Sequence, residues 1–265
     1  MRILDYSFST TIDFSVPVRD HNFVLRCMPT PSPTLSVVDS QLIIEPEAMF
    51  VRQRDSLGNL VAIGRMSQEH LSMSYRSSGT VRVDFNWAQP EYAHPVYRYA
   101  TPLTKADEAL VGFAKSLGGV SDPHNIREVD GFCLRASQAV HDLMAYEPGS
   151  TTVATTAAEA FAARRGVCQD FSHVLVCVLR EAGLAARYVS GLALGEGQTH
   201  AWVEASVDGF WYGYDPTRNQ AVDETYIPLA RGRDWSDCPV ERGSFIGLAD
   251  QTQTVHMIVK EHAEQ

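Results

Sequence analysis

The chain has 265 residues, 45% of them apolar, and a formal net charge of −10 at pH 7. That is enough to bury a real core in one large or two ordinary domains. No apolar run approaches the roughly 20 residues of a membrane-spanning helix. The acidic balance argues against nucleic acid or an anionic membrane surface as a partner, since both require a basic footprint.

The first residues, MRILDYSFSTTIDF, carry one Arg and no apolar h-region, so they do not read as a secretory signal. Short, partly alternating runs then recur up to about Phe85. Turn-like clusters separate them, among them Leu57-Gly58-Asn59 and Ser77-Ser78-Gly79. Frequent short strands of this kind predict an antiparallel β-domain over 1–86. The segment 87–102 has three Pro and four aromatics and reads as an extended connector. Helical signatures begin after it. The first runs from Thr104, a plausible N-cap, to Gly118-Gly119. The second spans 126–146, with Val129, Phe132, Cys133, Ala136, Val140 and Leu143 on one stripe. A short alanine-rich helix and a strongly apolar one from Gln169 follow, and then strand-like runs. Strands, then helices, then strands predict an α+β chain, with a catalytic core over 103–265.

Five cysteines (27, 133, 168, 177 and 238) include no C-x-x-C pair. That spacing argues against a disulfide framework and a zinc site, and it sets a reducing, cytoplasmic location as the expectation. The histidines show no metal-ligand spacing, and no EF-hand loop is present, so neither a metal nor a cofactor is expected.

Cys168 stands out because it opens the apolar helix, two residues after Gly166. A helix N-terminus offers unpaired N–H groups and partial positive charge, both of which favour thiolate over thiol. The N–H of Cys168 is also suited to a developing oxyanion. Cys177, nine positions on, points roughly the opposite way at about 100° per residue and reads as packing. His200, Trp202 and Glu204 share one face of an alternating strand. Asp208-Gly209 is a hairpin signal expected to bring His200 level with Asp215. Cys168, His200 and Asp215 therefore form a candidate nucleophile, base and orienter. Asp170 reads as a carboxylate favouring the helix dipole, Glu204 as one half of a salt bridge, and His173 as a satisfied polar group. Trp202 and Gln169 are candidate substrate contacts, with core packing the alternative for Trp202. Gln169, Tyr146 and the threonines between 151 and 156 are candidates for a second oxyanion donor.

The blocks Gly166-Val167-Cys168-Gln169-Asp170-Phe171, His200-Ala201-Trp202 and Asp215-Pro216-Thr217, in that order, resemble the bacterial transglutaminase-like superfamily. Val16-Pro17-Val18 and 55–59 are similar to the β-domain that precedes the core in that family. The resemblance implies a papain-like, transglutaminase-like core of the cysteine protease type. It carries the family triad onto Cys168, His200 and Asp215 and implies a peptide or protein substrate. The expected chemistry is thiol-dependent acyl transfer, with hydrolysis preferred. Transamidation and a non-catalytic binding module on the same fold remain the alternatives. Oligomeric state has no signature here.

Overall fold

Alternation sets the first strand. In β1 (Arg2–Leu25), Leu4, Tyr6, Phe8, Thr10 and Ile12 are buried on one face, while the residues between them are half-buried. In this computed structural model, which describes residues 1–263, the chain then forms β2 (Leu35–Glu45), β3 (Met49–Arg54), β4 (Leu60–Met66) and β5 (His70–Val83). The first part of β1 pairs antiparallel with β5, with a register shift between Asp13 and Val18, and its end at His21–Leu25 pairs with β4. One long strand thus serves two parts of a curled sheet. Short 3-10 turns at Phe85–Trp87 and Pro95–Arg98 break the expected connector.

Helices follow: α1 (Glu108–Ser116), α2 (Ile126–Leu143), α3 (Ala157–Ala163) and α4 (Cys168–Glu181). The short strands β6 (Ala145–Tyr146) and β7 (Arg165–Gly166) pair in parallel. The N-cap of α1 is Asp107, not Thr104; the Asp107 carboxylate accepts the Leu110 N–H at 2.8 Å. Thr104 instead shares a buried network with Thr101 and Arg180. Thr156 and Glu159 close a reciprocal capping box on α3.

The core sheet takes β8 (Ala185–Ala193), β10 (His200–Val207), β11 (Phe210–Asp215), β12 (Gln220–Ala221) and β13 (Tyr226–Gly232) in the order β12-β11-β10-β8-β13. Helix α4 packs on it and is buried almost throughout, as is β8. Val174, Leu175, Val178 and Leu179 of α4 join Ala201, Val203 and Ala205 of β10 in the main core. Each of these Val and Leu side chains contributes roughly 1.5–3 kcal/mol by leaving water.

The expected domain limits change at the C-terminus. Between β8 and β10, β9 (Gly195–Gly197) leaves the core sheet to pair with β15 (Gln251–Glu261), and β14 (Glu241–Ile246) and β15 both pair with β1. Residues 241–261, placed by sequence in the core over 103–265, complete the N-terminal sheet instead. The cause is edge pairing, because β1 offers ladder positions that residues 1–86 leave unfilled over much of its length. Among the described residues no helix is long and apolar enough to cross a membrane.

Candidate active site

Cys168 sits at the first position of α4. Val167 before it is extended, with φ −113° and ψ −178°, and its N–H donates to the Asp170 carboxylate at 2.8 Å. Thr151 donates to the same oxygen at 2.7 Å. Asp170 thus holds the turn that aims Cys168, in line with its structural reading, although its other oxygen is buried without a partner. Burial pushes the Asp170 carboxyl up. At the far end, Gly183 adopts φ +82°, and the Gly183 and Leu184 N–H groups return to Arg180 and Leu179 in a Schellman close.

The hairpin that carries the histidine and aspartate turns at Asp208-Gly209, where both φ values are positive. Its register pairs Val207 with Phe210 and Val203 with Tyr214. Continued, that register sets Asp215 against Trp202 rather than level with His200. The two side chains still share a face and meet diagonally, because the offset is two residues.

His200 Nε2 lies 2.6 Å from Asp215 Oδ2, which leaves Nδ1 as the ring nitrogen not engaged by Asp215, with Cys168 among the groups near enough to act on the ring. Burial pushes the imidazole down. The hydrogen bond to Asp215, the neighbouring Cys168 and the charges of both outweigh it and raise His200 to about 9. Asp215 is fully buried, and burial pushes its carboxyl up. Hydrogen bonds from His200 and Tyr226, the His200 charge and the backbone of Arg218 outweigh that and hold it below the usual carboxylate range. Its Oδ1 accepts the N–H groups of Thr217 and Arg218 at 3.0 and 3.1 Å, and its Oδ2 accepts the Tyr226 hydroxyl at 2.8 Å.

Tyr226 was missed by sequence. It lies in the segment after the D-P-T block, where nothing in the local pattern points to the site. Arg218, whose Nε is 3.9 Å from Asp215 Oδ2, was also missed, although its place directly after that block was a usable signal.

Cys168 and His200 face a cleft of about 690 Å³ walled by the loop after β6, by β9 and by Trp235 and Val240. Gln169 lines it, and the Gln169 amide donates to Val153 O at 3.4 Å. Tyr146 is exposed at its edge. Trp202 is fully buried, its ring 5.2 Å from Tyr226 and 6.4 Å from His200. It supports the His–Asp pair from below, and its burial removes it from direct substrate contact. Thr151 is occupied by Asp170. Cys177 is buried in the core, and burial pushes its thiol up to about 12. Glu204 forms ion pairs with Arg187 at 2.6 Å and Arg231 at 3.2 Å. His173 accepts the Trp235 N–H at 3.0 Å, while its Nδ1 stays unpartnered.

Residues 126–216 match the family model of the Transglutaminase-like superfamily, and residues 4–82 match the Bacterial transglutaminase-like N-terminal region. The chain carries a transglutaminase-like core behind a bacterial transglutaminase-like N-terminal region.

An uncharacterized protein of Mycobacterium leprae is 26% identical over 245 residues, which are 84% of this chain and 85% of that one. A Mycobacterium tuberculosis protein, also uncharacterized, is 42% identical over 170 residues, 58% of this chain and 48% of its own length. This chain therefore spans about half of that longer relative. The crystal structure of a "Putative Cysteine Protease" from Cytophaga hutchinsonii superposes with a TM-score of 0.79 at 20% identity. It covers 100% of this chain and 92% of that one, and it establishes the shared fold.

Proposed function

We propose that the chain is a thiol enzyme that cleaves peptide or side-chain amides, with Cys168 as nucleophile, His200 as acid and base, and Asp215 as orienter. The observation that carries the reading is the 2.6 Å His200–Asp215 hydrogen bond, which fixes the ring with Nδ1 left for Cys168. The Cys168 thiol gives its proton to His200 and its sulfur attacks the amide carbonyl carbon, while the C–O π electrons move onto oxygen. The N–H of Cys168, in the first turn of α4, has no acceptor within the helix and is available to that oxyanion. As the oxyanion collapses, His200 protonates the amine nitrogen and the C–N bond breaks, leaving a thioester. Water then gives a proton to His200 and attacks the thioester. Its collapse releases the acid and restores the thiol.

The substrate is taken to be a peptide or protein. All five cysteines are unpaired, which supports a reducing, cytoplasmic setting.

Iodoacetamide tests the site directly. Cys168 is expected to alkylate at pH 6.5 at least about tenfold faster than an ordinary thiol, and His200→Ala is expected to abolish that advantage. Labelling no faster than an ordinary thiol would overturn the enzyme reading in favour of a binding module. Intact-mass analysis after incubation with a peptide library and an amine donor separates outcomes. Hydrolysed products support the proposal, whereas amine incorporation makes the chain a transamidase.

A further inference from the structure

A second cavity, of about 330 Å³, lies behind Thr199, the residue before His200. Thr199, Trp235 and Val240 line both it and the cleft, so the two spaces adjoin. Its other walls come from β1, β5, β14 and β15. The cavity therefore exists only because the C-terminal strands return to the N-terminal sheet. Many water volumes would fit, since one water occupies about 30 Å³ of liquid.

The chemistry inside is one-sided. Glu241 on β14 presents a carboxylate that forms no ion pair among the described residues; its one side-chain donor there is Gln253 Nε2 at 3.3 Å. No lysine or arginine lines the cavity. Tyr75 and Thr10 are 2% and 1% exposed and line the same space, and their hydroxyl oxygens are buried with no hydrogen-bond partner among the described residues. Burial pushes the Glu241 carboxyl up to about 7. The nearby Tyr75 hydroxyl opposes this without forming a hydrogen bond of good geometry. Burial, and then the neighbouring His70, push His21 down to about 4, so its ring brings no positive charge at neutral pH.

Three oxygens that can accept thus line one space, with the 3.3 Å contact from Gln253 the one side-chain hydrogen bond to any of them among the described residues. Two buried hydroxyls left unpaired beside a half-buried carboxylate with one long contact are costly, and a ligand that supplies donors to all three removes the cost. An ammonium has three donors and no acceptor, and its positive charge matches the lone carboxylate. Phe8 and Phe245 flank the space with apolar surface suited to a methylene stem.

We propose that this cavity is a substrate subsite for a primary amine on an aliphatic stem, held by Glu241, Tyr75 and Thr10. The amine belongs to the polypeptide whose neighbouring amide enters the cleft at Cys168. That placement of the amide rests on the acyl-transfer reading; the amine site itself does not.

The full chain carrying Cys168→Ala separates the two. Titrated calorimetrically with Nα-acetyl-lysine methylamide, it is expected to show one saturable site, with the norleucine analogue at least about tenfold weaker. Glu241→Gln in the same background should weaken the lysine compound at least about tenfold and leave the norleucine compound within about twofold. Tyr75→Phe should give a smaller loss and guards against a folding defect in the first variant. Equal binding of lysine and norleucine compounds, no saturable binding, or lysine affinity unchanged in both variants overturns the amine site. With Cys168 intact, kcat/KM should favour lysine over norleucine peptides, and Glu241→Gln should collapse that ratio without slowing iodoacetamide labelling. Intact amine binding with no turnover and slow labelling would overturn the acyl-transfer reading alone.

Discussion

Asp215→Asn should change how stability depends on alkaline pH. His200 stands at about 9 in the folded chain, with Asp215 the leading partner that raises it against burial; an unfolded histidine titrates near 6.5. A folded-state pKa above the unfolded value means that the stabilisation is complete below about pH 6.5 and is lost as pH rises through about 9. The difference corresponds to about 3 kcal/mol at roughly 1.4 kcal/mol per pH unit. His200 is mostly buried, with 10% of its side chain exposed, so solvent screening trims this figure only modestly. The assay is urea unfolding of wild type and Asp215→Asn at pH 6 and pH 9.5. The wild type should lose about 2–3 kcal/mol more across that window than the variant, on the order of 1 M urea in midpoint. Comparing the two chains cancels the other titrating groups, among them Glu241. Equal losses in both would refute the coupling of His200 to Asp215 as the source of the raised pKa.

Tyr226→Phe removes a donor from the Asp215 carboxylate, so Tyr226 acts as a positioning residue. A hydrogen bond to a charged group contributes roughly 1.5–3 kcal/mol. The variant should lose about tenfold or more in kcat/KM, and the acidic limb of the pH–rate profile should move to higher pH, because that donor helps hold Asp215 ionised. Loss of activity with an unmoved profile would leave Tyr226 only a structural role. Gly166→Ala puts a Cβ 2.5 Å from the Asp170 carboxylate, breaking the turn that aims Cys168. About 1–3 kcal/mol of stability and the fast iodoacetamide reaction should go together. Glu204→Ala strands Arg231, 8% exposed, and leaves Arg187 only Glu91 as a carboxylate partner, at 3.2 Å, so it should cost about 3–5 kcal/mol in urea unfolding. A cost below about 1 kcal/mol would mean that water repairs the pair.

The site is legible in the sequence wherever its signal is local. The position of Cys168 at a helix start follows from the apolar period after it. The Asp208-Gly209 turn follows from the demand for two positive φ values, and the common face of His200 and Asp215 follows from strand alternation. Even there the register was two residues off, because turn length rather than face decides which residues sit opposite. The N-cap of α1 moved from Thr104 to Asp107 because Thr104 found a partner in Arg180, 76 positions away along the chain.

The rest depended on chain segments meeting. Tyr226 reaches Asp215 from a different strand, and Trp202 is sealed between Tyr226 and strand β8 at Gly191, where an added Cβ would meet its ring at 2.4 Å. Strands β14 and β15 join β1 more than 200 residues earlier, which moves the domain limit and builds the Glu241 cavity. Hydrophobic period, capping and turn chemistry are properties of neighbouring residues, so the order of residues alone settled the place of Cys168 at a helix start, the hairpin and the α+β class. Edge pairing and cavity lining are chosen among distant partners by burial and unfilled hydrogen bonds. Only the folded chain decided who supports Asp215 and what lies beside the cleft.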